Sequence, residues 1–162
     1  MFKVVAFLGF FLALGSFSPS WSITPQQKKL WRTEIDTASK IRIAYVWGAF
    51  DYKGADCSGI VYATAKRAGI PVRRTTALNM FKGLDGWNGF PVNVKEADEL
   101  DLIWWTWSER PDRPHGHVGI IVIDEKSKLL SIFHASSSAK RVVIQPYRYK
   151  LEKDTSGIKR LK

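Results

Sequence analysis

Cysteine and histidine are scarce in this sequence, whose 162 residues include one cysteine, Cys57, and three histidines. A single cysteine excludes an internal disulfide, and the lack of an HExxH pattern argues against a zinc site of that kind. The chain also has no recognised nucleic-acid-binding motif and no internal repeat. We therefore expect no metal, no other cofactor and no nucleic-acid partner, and we expect a monomer built around a hydrophobic core.

Long hydrophobic runs are absent as well, apart from a short one at the N-terminus. Residues 1–22 combine a basic start at Lys3, an apolar stretch from Val4 to Leu14 and a serine-rich end, which is the pattern of a secretory signal peptide. The stretch is shorter than the roughly 20 residues of a membrane span. We expect export to the periplasm, the cell envelope or the exterior, with an uncleaved N-terminal anchor as the alternative.

The remainder, residues 23–162, is predicted to form one domain with its core at about 41–149. The full sequence has 25 lysine and arginine residues against 15 acidic residues, a formal net charge of +10, and Lys3 is the one basic residue within the predicted signal peptide. For an exported protein this balance favours peripheral contact with the anionic polymers or membrane of the cell envelope. The basic tail at 150–162 is interpreted as a solvated end.

The chain changes its periodicity midway. Capping residues and apolar spacing predict helices at about 25–41, 57–69 and 76–81, and the glycine-rich segment 83–93 is predicted to be a loop. Four later runs rich in β-branched and aromatic residues predict strands: LDLIWWTW, HVGIIVID, LLSIFHAS and RVVIQPY. This order predicts an α+β fold, in which N-terminal helices pack on a mostly antiparallel β-sheet.

Cys57 follows Asp56 at the predicted start of the second helix. Unpaired backbone N–H groups and the helix dipole favour negative charge there, so the position predicts a lowered thiol pKa and a nucleophile. The Asp56 carboxylate would oppose that shift, and we expect it to point away from the sulfur. A buried inert cysteine and a cysteine that bridges a dimer are the alternatives.

A nucleophilic thiol needs a base, and the base needs a group that orients it. If DEKS is a four-residue hairpin loop, Ile123 pairs with Lys128 and His117 lies opposite His134, with Cβ atoms about 5 Å apart. His117 is then the candidate base and His134 its orienting partner. The alternatives are two ordinary strand histidines or a metal site, and His115 is interpreted as a turn residue.

Seven tryptophans raise the question of a substrate platform. Trp104, Trp105 and Trp107 alternate partly along one predicted strand, which favours a place in the core and at its rim. Trp87 lies in the glycine-rich loop and is predicted to face the substrate.

The stretch YVWGAFDYKGADCSGIVYATAKRAGI, followed in order by ELDLIWW, HVGIIV and IFHASSS, resembles the NlpC family of cell-wall cysteine endopeptidases. The resemblance implies a papain-like fold. It also implies hydrolysis of an amide bond in peptidoglycan stem peptides, between γ-D-glutamate and a diamino acid.

The resemblance assigns a role to each matching catalytic position. Cys57 is the nucleophile, His117 the general base that later protonates the leaving amine, and His134 the residue that orients His117. Tyr45 is expected to stabilise the oxyanion together with the backbone N–H of Cys57.

Substrate contacts are expected at three further residues. Asp56 and Ser58 match positions that hold the terminal amine in relatives that cleave stems beginning with a free L-alanine. Arg74 is a candidate for a substrate carboxylate, since an arginine fork suits that group. Two other functions stay open: an inactive wall-binding relative, and an amidase or acyltransferase acting on another envelope substrate.

Overall fold

The computed structural model describes residues 22–106, 115–124, 127–147 and 155–162, so the predicted signal peptide lies outside the described residues except for Ser22. In chain order the elements are α1 (Pro25–Lys40), β1 (Ala44–Tyr45), β2 (Phe50–Asp51), β3 (Gly54–Ala55), α2 (Cys57–Arg67), α3 (Ala77–Phe81), β4 (Gly89–Pro91), β5 (Leu102–Trp105), β6 (His117–Ile123), β7 (Leu130–Ser136), β8 (Arg141–Pro146) and β9 (Thr155–Leu161). None of the helices in these ranges is long and apolar enough to cross a membrane.

Each helix begins at a residue whose side chain caps it. Thr24 forms a capping box at the start of α1, Asp56 accepts a backbone N–H at the start of α2, and Thr76 does the same for α3. These caps satisfy N–H groups that the first helical turn leaves unpaired. The three predicted helices are therefore confirmed.

The strands form one nine-stranded sheet in the order β2-β3-β1-β8-β7-β6-β5-β9-β4. Neighbouring strands pair antiparallel except β1 and β3, which run parallel. The fold is α+β with a mostly antiparallel sheet, as the sequence predicts, and the four predicted strand runs correspond to β5, β6, β7 and β8.

Each face of the sheet buries a hydrophobic cluster. The face covered by α1 and α2 contributes Leu102, Trp104, Val118, Ile120, Phe133 and Ala135. The second face carries Ile103, Ile121, Ile132 and Ile158. Because alternate residues of a strand face opposite sides, His117 and His134 lie on this second face.

The C-terminal segment differs from its prediction as a solvated tail. Within it, β9 pairs antiparallel with β5 on one side and with β4 on the other. The predicted loop at 83–93 is likewise partly wrong, because it contains β4. Neither segment has a strong local strand pattern, and each becomes a strand through hydrogen bonds to a partner far away in the sequence.

Candidate active site

The N-terminus of α2 places Cys57 between the helix and the sheet. Asp56 caps this helix by accepting the backbone N–H of Gly59 at 2.6 Å, and its other oxygen accepts the N–H of Gly48 at 3.0 Å. A Cβ atom at position 59 would collide with the carbonyl oxygen of Ala49, so the helix start packs closely on the preceding loop. The cap and this close packing fix the direction of the first helical turn, which carries Cys57.

The sulfur of Cys57 meets β6 where the sheet opens. The N–H of Ile121 in β6 donates to the carbonyl of Asp101, on the side of β5. Because the N–H groups along a strand point alternately to its two neighbours, the N–H of Val118 points toward β7. The pairing of β6 with β7 ends at Ile120 and Phe133, however. The N–H of Val118 instead hydrogen bonds to Cys57. The thiol therefore touches the residue that directly follows His117.

Cys57 is buried, with 6% of its surface exposed. Burial raises the pKa of its thiol to about 11, and the nearby Asp56 carboxylate adds to the rise. Hydrogen bonds from the N–H groups of Val118 and Ser58 and the charge of Arg74 act in the opposite direction but are outweighed. The prediction of a lowered pKa is thus wrong, because the loss of water disfavours the thiolate more than the helix start favours it.

His117 and His134 form a hydrogen bond, with 2.8 Å between Nε2 of His117 and Nδ1 of His134. The predicted register is wrong, since Ile123 pairs with Leu130 rather than with Lys128. The loop is two residues longer than DEKS, and a shift of two residues keeps every side chain on its face. The two imidazoles consequently meet diagonally rather than as a directly opposed pair.

Gly119 makes this diagonal contact possible. It lies one residue beyond the last β6–β7 pair, and a Cβ atom there would lie 2.5 Å from Cγ2 of Ile132, 3.1 Å from the carbonyl oxygen of Phe133 and 3.2 Å from Cβ of His134. A side chain at position 119 would therefore stand between the strands just where the two rings approach each other.

We expect Gly119→Ala to lower the free energy of unfolding by about 1–3 kcal/mol, because the added methyl overpacks the space beside Ile132. It should also slow iodoacetamide alkylation of Cys57, since His134 is displaced. Gly157→Ala is the matched control: its Cβ would lie 2.6 Å from Cε2 of Phe81, which contacts His115 and not the pair of His117 and His134. Equal alkylation rates for the two variants would contradict the role given to Gly119.

The ring of Trp105 packs against the pair of His117 and His134. Its ring centroid lies 4.4 Å from that of His117 and 5.4 Å from that of His134. Both imidazoles are buried, and burial lowers the pKa of His134 to about 4. Burial and the neighbouring ring of His134 hold the pKa of His117 well below its usual value. The resting site therefore contains two neutral imidazoles and a neutral thiol.

The buried neutral pair predicts a loss of stability in mild acid. An unfolded histidine titrates near 6.5 and the folded His134 at about 4, so the unfolded chain binds the extra proton between these values. The contribution of neutral His134 to the free energy of unfolding is thus fully present above pH 6.5. It falls as the pH drops toward 4, by about 3 kcal/mol.

Urea unfolding at pH 7.0 and pH 4.5 measures this loss. A His117→Asn, His134→Asn double variant should lose less stability over this interval than the parent, because only His115 and the carboxylates still titrate in it. An unchanged loss in the double variant would show that the pair is not buried in its neutral form.

The side chain of Tyr45 lies near Cys57 and Asp56. Its oxygen is buried and has no hydrogen-bond partner within the described residues. Burial raises the pKa of Tyr45 to about 12, and the proximity of Cys57 and Asp56 adds to the rise. The hydroxyl keeps its proton at neutral pH and can donate it to a developing oxyanion.

A cleft of about 480 Å³ opens over the sulfur. It is lined by Trp47, Gly48, Asp56, Cys57, Ser58, Arg74, Thr76, Ala77, Leu78 and Gly116. The structure thus brings Asp56, Ser58 and Arg74, the three residues expected to contact substrate, together beside the thiol.

These three polar residues also bind one another. Nη2 of Arg74 donates to both carboxylate oxygens of Asp56 at 2.9 and 3.1 Å, and its Nη1 donates to Oγ of Ser58 at 2.8 Å. The Ser58 hydroxyl donates to Asp56 at 3.0 Å. Arg74 supplies the opposite charge to Asp56, and the backbone N–H groups of Gly48 and Gly59 help to fill the acceptor positions of its carboxylate.

The tryptophan that reaches the cleft is not the predicted one. Trp87 is fully buried and donates its indole N–H to the carbonyl of Arg73 at 2.9 Å, so its predicted contact with substrate is wrong. Trp47 is 68% exposed and lines the cleft. The sequence signal for it is its position two residues after Tyr45, in the stretch that begins YVWG. Trp104 is in the core as predicted, and Trp107 lies outside the described residues.

His115 lies apart from the histidine pair. Its ring stacks on Phe81 with 3.5 Å between centroids, and its Nδ1 is 2.8 Å from Oγ of Ser156. It lies at a turn before β6, as predicted. Among the described residues, no three histidine, cysteine or acidic side chains cluster so as to hold a metal ion.

A cysteine at a helix start, a base on an adjacent strand and a second group that orients the base form the arrangement of a cysteine peptidase. The sequence matches the NlpC/P60 family over residues 42–160, and the chain belongs to that family. Members of this family are in general cell-wall peptidases that act on peptidoglycan. No curated protein matches the sequence.

Solved structures with this fold include an NLP/P60 family protein similar to lipoprotein from Staphylococcus aureus subsp. aureus Mu50, with 18% identity and a TM-score of 0.65 over 91% of this chain and 45% of that chain. NlpC1 of Trichomonas vaginalis has 22% identity and a TM-score of 0.64 over 85% of this chain and 45% of its own. NlpC2 of the same organism has 25% identity and a TM-score of 0.61 over 85% and 47%. This chain therefore spans less than half the length of these structures.

Proposed function

We propose that this protein is an exported cysteine endopeptidase that hydrolyses the bond between γ-D-glutamate and a diamino acid in peptidoglycan stem peptides. The observation that carries the proposal is the cleft-lining Cys57 beside β6, whose first residue, His117, is hydrogen bonded to His134. The γ-glutamyl bond is the part of the proposal that comes from the family resemblance.

Acylation begins when the sulfur of Cys57 attacks the carbonyl carbon of the scissile amide. Nε2 of His117 is engaged with His134, so Nδ1 of His117 takes the thiol proton. Proton transfer and attack occur together, because burial disfavours a preformed thiolate. The oxyanion accepts hydrogen bonds from the hydroxyl of Tyr45 and from the backbone N–H of Cys57.

Collapse of this intermediate breaks the carbon–nitrogen bond, and the imidazolium of His117 gives its proton to the leaving amine. A thioester to Cys57 remains. Water then attacks the thioester while His117 takes a proton from it. Release of the carboxylic acid restores the thiol and the neutral imidazole, so the enzyme ends in its starting state.

The charged groups of the substrate meet the cluster of Asp56, Ser58 and Arg74. A terminal ammonium that approaches Asp56 competes with the guanidinium of Arg74, since the carboxylate already accepts five hydrogen bonds from the cluster and the backbone. A substrate carboxylate can bind Arg74 only by sharing its guanidinium with the carboxylate of Asp56. Trp47 and Leu78 supply apolar walls for the peptide stem.

The test is to incubate residues 23–162 with purified muropeptides and to identify the products by mass. A stem with γ-linked D-glutamate should be cut after the glutamate, and its α-linked isomer should survive. Stems with a free L-alanine terminus and stems capped by the sugar lactyl group show which end the cleft requires. Cys57→Ala is the matched inactive control.

The other functions give different products. Release of the whole stem from the sugar would identify an amidase, and a mass gain on an added amine would identify an acyltransferase. Muropeptides that stay intact but bind to the protein would identify a wall-binding relative. Any of these three results overturns the endopeptidase proposal.

A further inference from the structure

The hydrogen bond between the two histidines fixes where their protons must lie. His117 can take a proton at Nδ1 only if its own proton is on Nε2. Nε2 must then donate to Nδ1 of His134, which is 2.8 Å away. His134 must therefore carry its proton on its remaining nitrogen, Nε2.

That remaining nitrogen is buried. Nε2 of His134 has no partner at hydrogen-bonding geometry among the described residues, and only 4% of the residue is exposed. A buried N–H without an acceptor is costly, so this tautomer would be disfavoured if nothing received its proton. The site needs an acceptor on the side of His134 that faces away from His117.

The strand order supplies one residue there. β8 lies on the side of β7 opposite to β6, and His134 pairs with Val143 while Ile132 pairs with Gln145. Gln145 is thus on the same face as His134, one diagonal step away, within reach of a long side chain. Its amide counteracts the effect of burial on the pKa of His134.

We propose that Gln145 is a positioning residue of this site: its side-chain carbonyl accepts Nε2–H of His134, and this selects the tautomers that let His117 take the thiol proton of Cys57. The proposal rests on the catalytic roles proposed for Cys57 and His117. A line of three side chains, from β8 through β7 to β6, then orients the base.

The direct test is the tautomer of His134, read from histidine 15N shifts in the full chain at neutral pH. Only three histidines are present, and His115 and His117 are assigned by their Asn variants. We expect the wild type to carry its His134 proton on Nε2. A proton on Nδ1 of His134 would overturn the proposal.

Variants give a second readout. Gln145→Leu, which keeps the volume and removes the acceptor, should slow alkylation of Cys57 by iodoacetamide about tenfold. Gln145→Glu, which keeps an acceptor oxygen, should restore the rate, and Gln145→Leu should have no further effect in a His134→Ala background. Ile144→Ala, on the same strand but the opposite face, is the control for general disturbance of β8.

Equal rates for Gln145→Leu and wild type, or an equal loss in Gln145→Leu and Gln145→Glu, would also overturn the proposal. Neither readout uses peptidoglycan. A protein that fails to cut muropeptides but shows the expected tautomer and alkylation rates would therefore contradict the proposed substrate and leave the role of Gln145 intact.

Discussion

Replacing Cys57 with alanine is expected to reduce muropeptide hydrolysis by about a millionfold, which is the scale seen when the nucleophile of a catalytic triad is removed. Cys57 is the only cysteine of the chain, so no second thiol can replace it. Without the sulfur neither the tetrahedral intermediate nor the thioester can form. Product masses from long incubations of both proteins measure the loss.

The same variant should fold normally. Asp56 and not Cys57 caps α2, and alanine fits the space that the thiol leaves. Thermal unfolding within a few degrees of wild type therefore serves as the control. Hydrolysis at the wild-type rate by folded Cys57→Ala protein would remove the thiol from the mechanism.

Replacing His117 with alanine is expected to lower the rate at pH 7 by about a thousandfold to ten-thousandfold, the upper range for loss of a general base. With a thiol pKa of about 11, about one Cys57 in ten thousand is ionised at pH 7. The variant must rely on that fraction. Its rate should rise about tenfold per pH unit between pH 7 and 10, whereas the wild-type rate should stay level.

Hydrolysis and iodoacetamide alkylation measured across this pH range test the prediction. His115→Asn is the matched control, because asparagine tolerates the left-handed backbone at this position, where φ is 58°, and His115 lies outside the pair. A His117→Ala protein that alkylates as fast as wild type at pH 7 would show that the thiol does not use this base.

Local chemistry explains why much of the site was predictable. A capping aspartate, a cysteine in the first helical turn and a glycine that allows close packing are neighbours in sequence, so one short stretch contains them all. The assumed four-residue hairpin loop predicts that His117 meets His134, and the contact holds although the loop is longer than predicted. An error of two residues in register preserves the face, and only an odd error would have separated the rings.

The pKa of Cys57 could not be derived in this way. The helix start favours the thiolate and is a local feature, whereas the N–H of Val118, which also favours it, comes from a strand far away in the sequence. Desolvation depends on every element that covers the sulfur, and it wins here. Trp87 and Trp47 show the same limit, since both lie in loops and only the packed fold decides which of them is buried.

By itself the sequence determined where the helices begin, which runs form the central strands and which residue is the nucleophile candidate, because caps, periodicity and a short motif act over a few residues. The tertiary structure alone decided that the C-terminal segment is a strand, that Arg74 neutralises Asp56 and that Gln145 lies beside His134. These depend on strand order and on burial, which are set by contacts between distant parts of the chain.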